Sequence, residues 1–194
     1  MVKRIVAVLS FLMLVSTGAL YAITLLTQEE ALKEVFWSGA EIEKETKELN
    51  GTTLERIKER LGGSLVYTQE GSESAEVESQ TTIDFYFAKK GGERKGVAII
   101  DVEPGKWGPV EFIIAMTTAE AAVKKVRVLS YQEIRGQPIA RSSFMNQYRG
   151  KTSKSPLTVG KDIIAISGAT ISSRAATFTV KKAIVIYEEV YLKK

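Results

Sequence analysis

The chain has 194 residues, 27 of them basic and 23 acidic, a formal charge of +4, and neither Cys nor His. Those two absences exclude disulfides, thiolate nucleophiles, Cys-ligated iron–sulfur clusters, zinc sites built on Cys or His, and His-based triads within this chain. The length suits one domain plus an anchor, and acids are interspersed with the basic residues, so no nucleic-acid-binding stripe emerges.

After Lys3 and Arg4, residues 5–26 (IVAVLSFLMLVSTGALYAITLL) carry no charge. As a helix this stretch covers roughly 33 Å, enough for a hydrocarbon core of about 30 Å. It reads as an uncleaved single-span anchor, with a signal peptide cleaved near Thr17-Gly18-Ala19 as the rival. Lys3 and Arg4 before it, and Glu29 and Glu30 after it, keep the N-terminus in the cytoplasm and put the rest of the chain outside.

Residues 27–49 combine helix formers with acids in the first turn and predict a helix, either continuing the anchor or starting just outside it. Asn50-Gly51 ends it, and residues 52–63 (TTLERIKERLGG) read as a short capped helix closed by glycines. Residues 69–82 are polar and acidic with little to bury, a surface loop. Strands are predicted at 83–90, 96–103, 110–117 and 124–133, with turns at Gly91-Gly92 and Pro104-Gly105. Residues 117–125 fit a turn with one helical coil or a broad hairpin loop, and 140–150 (ARSSFMNQYRG) a helix with Phe144 and Tyr148 on one face. From about 168 to 192, Ala176, Val180, Ala183, Tyr187 and Val190 recur at steps of four and three, the apolar face of a last helix. The order predicts an α+β fold with a mainly antiparallel sheet.

The stretch SGATISSRA (167–175) sits where a loop enters that last helix. A helix start presents unpaired N–H groups and partial positive charge, so Ser167, Gly168 and Ala169 are small enough to let a phosphate approach. Thr170, Ser172 and Ser173 offer hydroxyls, and Arg174 adds charge. The simpler alternative is that Ser167 or Thr170 caps the helix and Gly168 turns the chain.

SGATISS followed by RAATFTVKKA resembles the flavinylation motif of the FMN-binding domain family, which includes the G component of the Rnf electron-transport complex and the C component of the sodium-pumping NADH:quinone reductase. The resemblance implies that Thr170 carries FMN covalently through a phosphoester made by a separate flavin transferase. It also implies roles in cofactor binding for Ser167, Gly168, Ala169, Ser172 and Ser173. PGKWGPVEFIIAM (104–116) is similar to the family's Gly-aromatic-Gly turn, which brings in Trp107 and Gly108. LSYQEIRGQPIARSSFMNQYRGK (129–151) resembles the segment that ordinarily carries Glu-Thr-Pro-Gly-Leu-Gly, matched by Glu133 and Gly136. Ile134, Arg135, Gln137 and Pro138 depart from that hexapeptide, and Ile164 stands where the family often has Asp, with Asp162 nearby but out of register.

The family likeness implies a division into an anchor at 1–26, a helical juxtamembrane segment at 27–63 and an extracytoplasmic FMN-binding domain at 64–194. It implies an electron-relay subunit of a membrane-bound ferredoxin:NAD oxidoreductase of the Rnf type, coupled to sodium or proton translocation, with other membrane subunits as partners. A related flavinylated protein of a quinone-reductase or extracellular electron-transfer system is the alternative. A cofactor-free anchored interaction module, in which SGATISS is only a cap, is the reading from another class.

Overall fold

The computed structural model describes residues 22–68, 79–106, 108–132 and 137–193. Among them, six strands pair antiparallel throughout: β1 (Ile23–Thr24), β2 (Glu41–Glu48), β3 (Thr82–Lys90), β4 (Glu93–Pro104), β5 (Pro109–Thr117) and β6 (Val123–Tyr131), in the order β1-β6-β5-β4-β3-β2. The helices are α1 (Gln28–Val35), α2 (Gly51–Leu61), α3 (Ser142–Met145) and α4 (Thr170–Tyr187), the last continuing into a wider turn at Glu188–Leu192. This is the expected α+β sheet with flanking helices.

Strand alternation sorts side chains onto two faces. Val97 and Ile99 of β4, Phe112 and Ile114 of β5, and Phe85 and Phe87 of β3 join Val180, Ala183, Ile184 and Tyr187 of α4 in the main core. Phe85, Phe87 and Phe112 are at most 1% exposed, and full burial of each contributes about 2 kcal/mol. On the opposite face Ala98, Ile113, Ala115 and Leu129 pack under Ala31 and Val35 of α1. A capping box starts α1, with Glu30 N–H donating to Thr27 Oγ1 and Thr27 N–H to Glu30 Oε2.

Two expectations are corrected. Residues 41–48, expected to be helical as part of the segment 27–63, form β2, which pairs along its whole length with β3 from Glu41↔Lys89 to Glu48↔Thr82. Local helix propensity yields there to cross-strand ion pairs, among them Lys44–Asp84 at 2.8 Å and Arg94–Glu45 at 2.7 Å. The expected anchor lies outside the described residues as far as residue 21, and its final residues do not continue a helix. Ile23 and Thr24 pair with Tyr131 and Ser130, and Leu25 N–H donates to Leu129 O at 2.7 Å. Among the described residues no helix is long and apolar enough to cross a membrane.

The four central strands match expectation; of the two alternatives for 117–125 the structure has the hairpin loop, confined to 118–122 because β6 starts at Val123, and Ala121 takes a positive φ of 52° within it. The loop expected at 69–82 lies outside the described residues over 69–78.

The direction of α4 decides where the site falls. Tyr187 Oη donates to Thr118 O at 3.0 Å, beside the β5–β6 turn, whereas Thr179 Oγ1 donates to Asp101 Oδ2 at 2.7 Å, further along β4. The helix therefore runs against β4 and begins at the end of the sheet where the β4–β5 hairpin lies. Because neighbouring strands are antiparallel, that same end holds the last residues of β6 and, through Ile23↔Tyr131, the point where the described chain begins.

Candidate functional site

The loop into α4 is built to hold Thr170 outward. Ala169 N–H donates to Ile166 O at 3.0 Å, and Gly168 turns the chain at φ +78°, a conformation that favours glycine although space around it is open. Ser173 Oγ donates to Ala169 O at 2.9 Å and accepts the Ile166 N–H at 3.1 Å, tying the two ends of the turn from beneath. The N-cap is Ala169, which has no side-chain oxygen, so neither Ser167 nor Thr170 caps this helix. The first helical bond is Ser173 N–H to Ala169 O at 2.9 Å, and the N–H groups of Thr170 and Ile171 precede it without a partner along the helix.

The sequence-predicted residues divide by exposure. Ser167, Gly168 and Thr170 are exposed, Ala169 is nearly buried, and Ser172 and Ser173 lie inside. Thr170 and Arg174, one turn apart, stand on the solvent stripe of α4, with half-buried Phe178 beside them. Gly108 is buried in the β4–β5 hairpin, which closes with Gly105 N–H donating to Gly108 O at 2.8 Å. A Cβ on Gly108 would come within 2.7 Å of Gln132 Cβ, so the hairpin presses against the end of β6. Trp107, Glu133 and Gly136 lie outside the described residues, but the residues flanking them, Gly108 and Gln132, meet at the end of the sheet where α4 begins.

Asp162, next to the position where the family often has Asp, is occupied elsewhere. It pairs with Lys151 at 2.8 Å and accepts N–H bonds from Leu157 and Thr158. Burial opposes its ionisation, but these donors prevail and hold its carboxyl below the usual range. Ile164 is 79% exposed, and its backbone N–H and C=O are both bonded to the Gln147 amide.

A cluster that sequence reading missed lies behind the site. Lys182 Nζ, nearly buried on α4, pairs with Asp101 at 2.7 Å, pairs with Glu103 and donates to Leu65 O at 2.9 Å. Glu103, fully buried, also accepts the Tyr67 N–H at 2.7 Å. Full ionisation would enclose two carboxylates with one ammonium. Burial, opposed by Lys182 and reinforced by Asp101, pushes Glu103 up to about 8. Strand alternation carried the signal, because Val97, Ile99, Asp101 and Glu103 share one face of β4.

Against this geometry, residues 105–185 match the FMN-binding domain family. The matched stretch begins at the β4–β5 hairpin and includes Thr170 and most of α4. The chain is also similar to the G component of the proton-translocating ferredoxin:NAD(+) oxidoreductase complex of Clostridium ljungdahlii, at 32% identity over 109 residues. That alignment takes in 52% of this chain and 58% of the relative's length.

Proposed function

We propose that this protein is a membrane-anchored flavoprotein subunit of an Rnf-type ferredoxin:NAD oxidoreductase, relaying electrons through FMN joined by a phosphoester to Thr170. The observation that carries the reading is the exposure of Thr170 at an uncapped helix start, inside the segment that matches the FMN-binding family.

The residues present fit a phosphate-linked group. The N–H groups of Thr170 and Ile171 carry the partial positive charge of the helix start, and Arg174 adds a full charge one turn on. Ser167 supplies an exposed hydroxyl, Gly168 and Ala169 keep bulk away, and Ser173 holds the turn from below. Ser172 is buried at the helix start. By the family likeness, Trp107, Gly108, Glu133 and Gly136 belong to the cofactor-binding set. Bound FMN supplies one- and two-electron transfer, and the protein supplies placement and tuning of its potential.

Residues 1–26 contain the anchor, Lys3 and Arg4 stay in the cytoplasm, and the domain stands on the periplasmic or extracellular side. The described chain begins at Ala22, at the end of the sheet where α4 starts, which brings the flavin close to the membrane and to membrane-embedded partner subunits. Ion translocation belongs to those partners. A flavin transferase matures the protein.

The deciding experiment is flavin fluorescence of denatured protein on a gel, comparing wild type made with an active transferase against Thr170→Ala. A fluorescent band that vanishes in the variant establishes the attachment. A dark wild-type band refutes covalent flavin, and co-purification with multi-span subunits tests membership of the complex.

A further inference from the structure

Residues 64–68 connect α2 to the segment before β3, and their hold on the domain is unusual. Leu65 buries its side chain in the main core, and Ser64 and Val66 bond to each other, with Ser64 Oγ donating to Val66 O at 2.8 Å and accepting its N–H at 3.0 Å. The backbone is fastened to the domain by buried charge: Lys182 Nζ donates to Leu65 O at 2.9 Å, and Tyr67 N–H donates to Glu103 Oε2 at 2.7 Å. An apolar trio at 101, 103 and 182 would fill the same space without the desolvation cost of three ionisable groups. What the charged cluster adds is a fixed place for Tyr67.

That place adjoins the attachment residue. The Tyr67 ring tilts against Phe178 with centroids 5.9 Å apart; burial pushes its hydroxyl pKa up, and the neighbouring Arg174 guanidinium opposes that rise. Arg174 lies one helical turn beyond Thr170, a rise of about 6 Å. The side chain thus stands at the border of the exposed stripe that begins with Thr170.

We propose that Tyr67 and Arg174 form one wall of the flavin site, and that Glu103 and Lys182 are positioning residues that hold this wall through the backbone of residues 65–67. This rests on Thr170 as the attachment residue. Tyr67 presents an electron-rich ring to the flavin, and Arg174 presents a cation that favours the negative charge gained on reduction.

A phenol in contact with isoalloxazine shortens its fluorescence lifetime, so the test measures the lifetime and midpoint potential of the attached flavin in full-length, flavinylated protein. A Trp107→Phe background removes the other candidate electron donor. In that background, Tyr67→Phe lengthens the lifetime several-fold while flavin stays on Thr170. Glu103→Leu, which leaves Lys182 paired with Asp101, gives the same lengthening with Tyr67 still present. Glu103→Gln retains an acceptor for the Tyr67 N–H and keeps the background value. Arg174→Gln lowers the midpoint potential.

An unchanged lifetime in Tyr67→Phe overturns the wall, and an unchanged potential in Arg174→Gln removes Arg174 from it. Lengthening in Tyr67→Phe without lengthening in a folded Glu103→Leu, as judged by its urea midpoint, overturns the positioning role. If Glu103→Leu does not fold, loss of protection of the Tyr67 amide from hydrogen exchange in Glu103→Ala decides the same point. Each outcome is distinct from a dark wild-type band, which would refute the attachment itself.

Discussion

Lys182 Nζ sits 2.7 Å from Asp101 Oδ2 in the interior between α4 and β4, with both side chains less than a tenth exposed. The last helix is therefore bolted to the central strand by charge as well as by apolar packing. Thr179 Oγ1 donates to the same carboxylate at 2.7 Å.

Removing the cation alone leaves two buried acids without compensation. Lys182→Met is expected to destabilise the domain by about 3 to 5 kcal/mol. Lys182→Met with Asp101→Leu and Glu103→Leu is expected to recover most of that loss, because apolar replacement of a whole buried cluster is often neutral or better. Urea midpoints at constant m-value measure both.

Stability should depend on pH in two windows of opposite slope. Glu103 is raised in the folded state to about 8 from an ordinary 4.5, so the folded protein holds a proton that the unfolded chain releases. Stability then falls as pH rises from about 4.5 to 8, and Glu103→Gln flattens that slope. Glu189 behaves in the reverse sense. Burial opposes its ionisation, but hydrogen bonds from Lys193, Arg56 and Arg60 prevail and hold it at about 2. Its contribution is present above about 4.5 and lost as pH falls toward 2, and Glu189→Gln removes that acid limb. Urea midpoints taken across pH separate the two residues.

Gly108→Ala places a methyl group 2.7 Å from Gln132 Cβ. The expected cost is about 1 to 3 kcal/mol, as for other overpacked positions. Adding Gln132→Gly should return much of it. A double-mutant cycle on urea midpoints detects the coupling, and additive effects would show that the hairpin moves instead.

Ser173→Ala removes the acceptor for the Ile166 N–H and the donor to Ala169 O. A loss of about 1 to 2 kcal/mol is expected, together with a lower flavin-to-protein ratio although Thr170 is untouched. Absorbance of the purified protein gives that ratio, and Ser173→Thr, which keeps the hydroxyl, should restore part of it.

Much of the fold was legible because its signals are local. β3, β4, β5 and β6 announce themselves through β-branched and aromatic runs bounded by glycine and proline, and α4 through its apolar spacing. β2 was not legible. EIEKETKE has the composition of an exposed helix, and it becomes a strand only because β3 offers a full edge to pair with. The end of the apolar N-terminal stretch was misread for a similar reason, since Ile23 and Thr24 find a partner in β6 that no local pattern reveals.

At the site, small residues and hydroxyls before an amphipathic helix pointed to a phosphate site or a simple cap, and it was the resemblance of SGATISS to the family's motif that pointed to Thr170. The roles of Glu103 and Lys182 behind Tyr67 depend on contacts between residues far apart in the chain, whereas Ser173 beneath the turn and Asp162 in its own loop bond to nearby residues whose meeting no periodicity announces.

By itself the sequence determined what is encoded over a few residues: the excluded chemistries, strands β3 to β6 and the last helix, and, through the resemblance of its motif, the candidate attachment residue. Tertiary structure alone decided which end of the sheet α4 starts from, and so which loops surround Thr170. It also decided that the Tyr67 ring packs against Phe178 of α4 and that a buried charge cluster fastens the backbone of residues 65–67. The physical reason is range. Periodicity and turn chemistry act between near neighbours, whereas pairing partners, helix direction and the burial of charge are settled when distant segments compete for the same core.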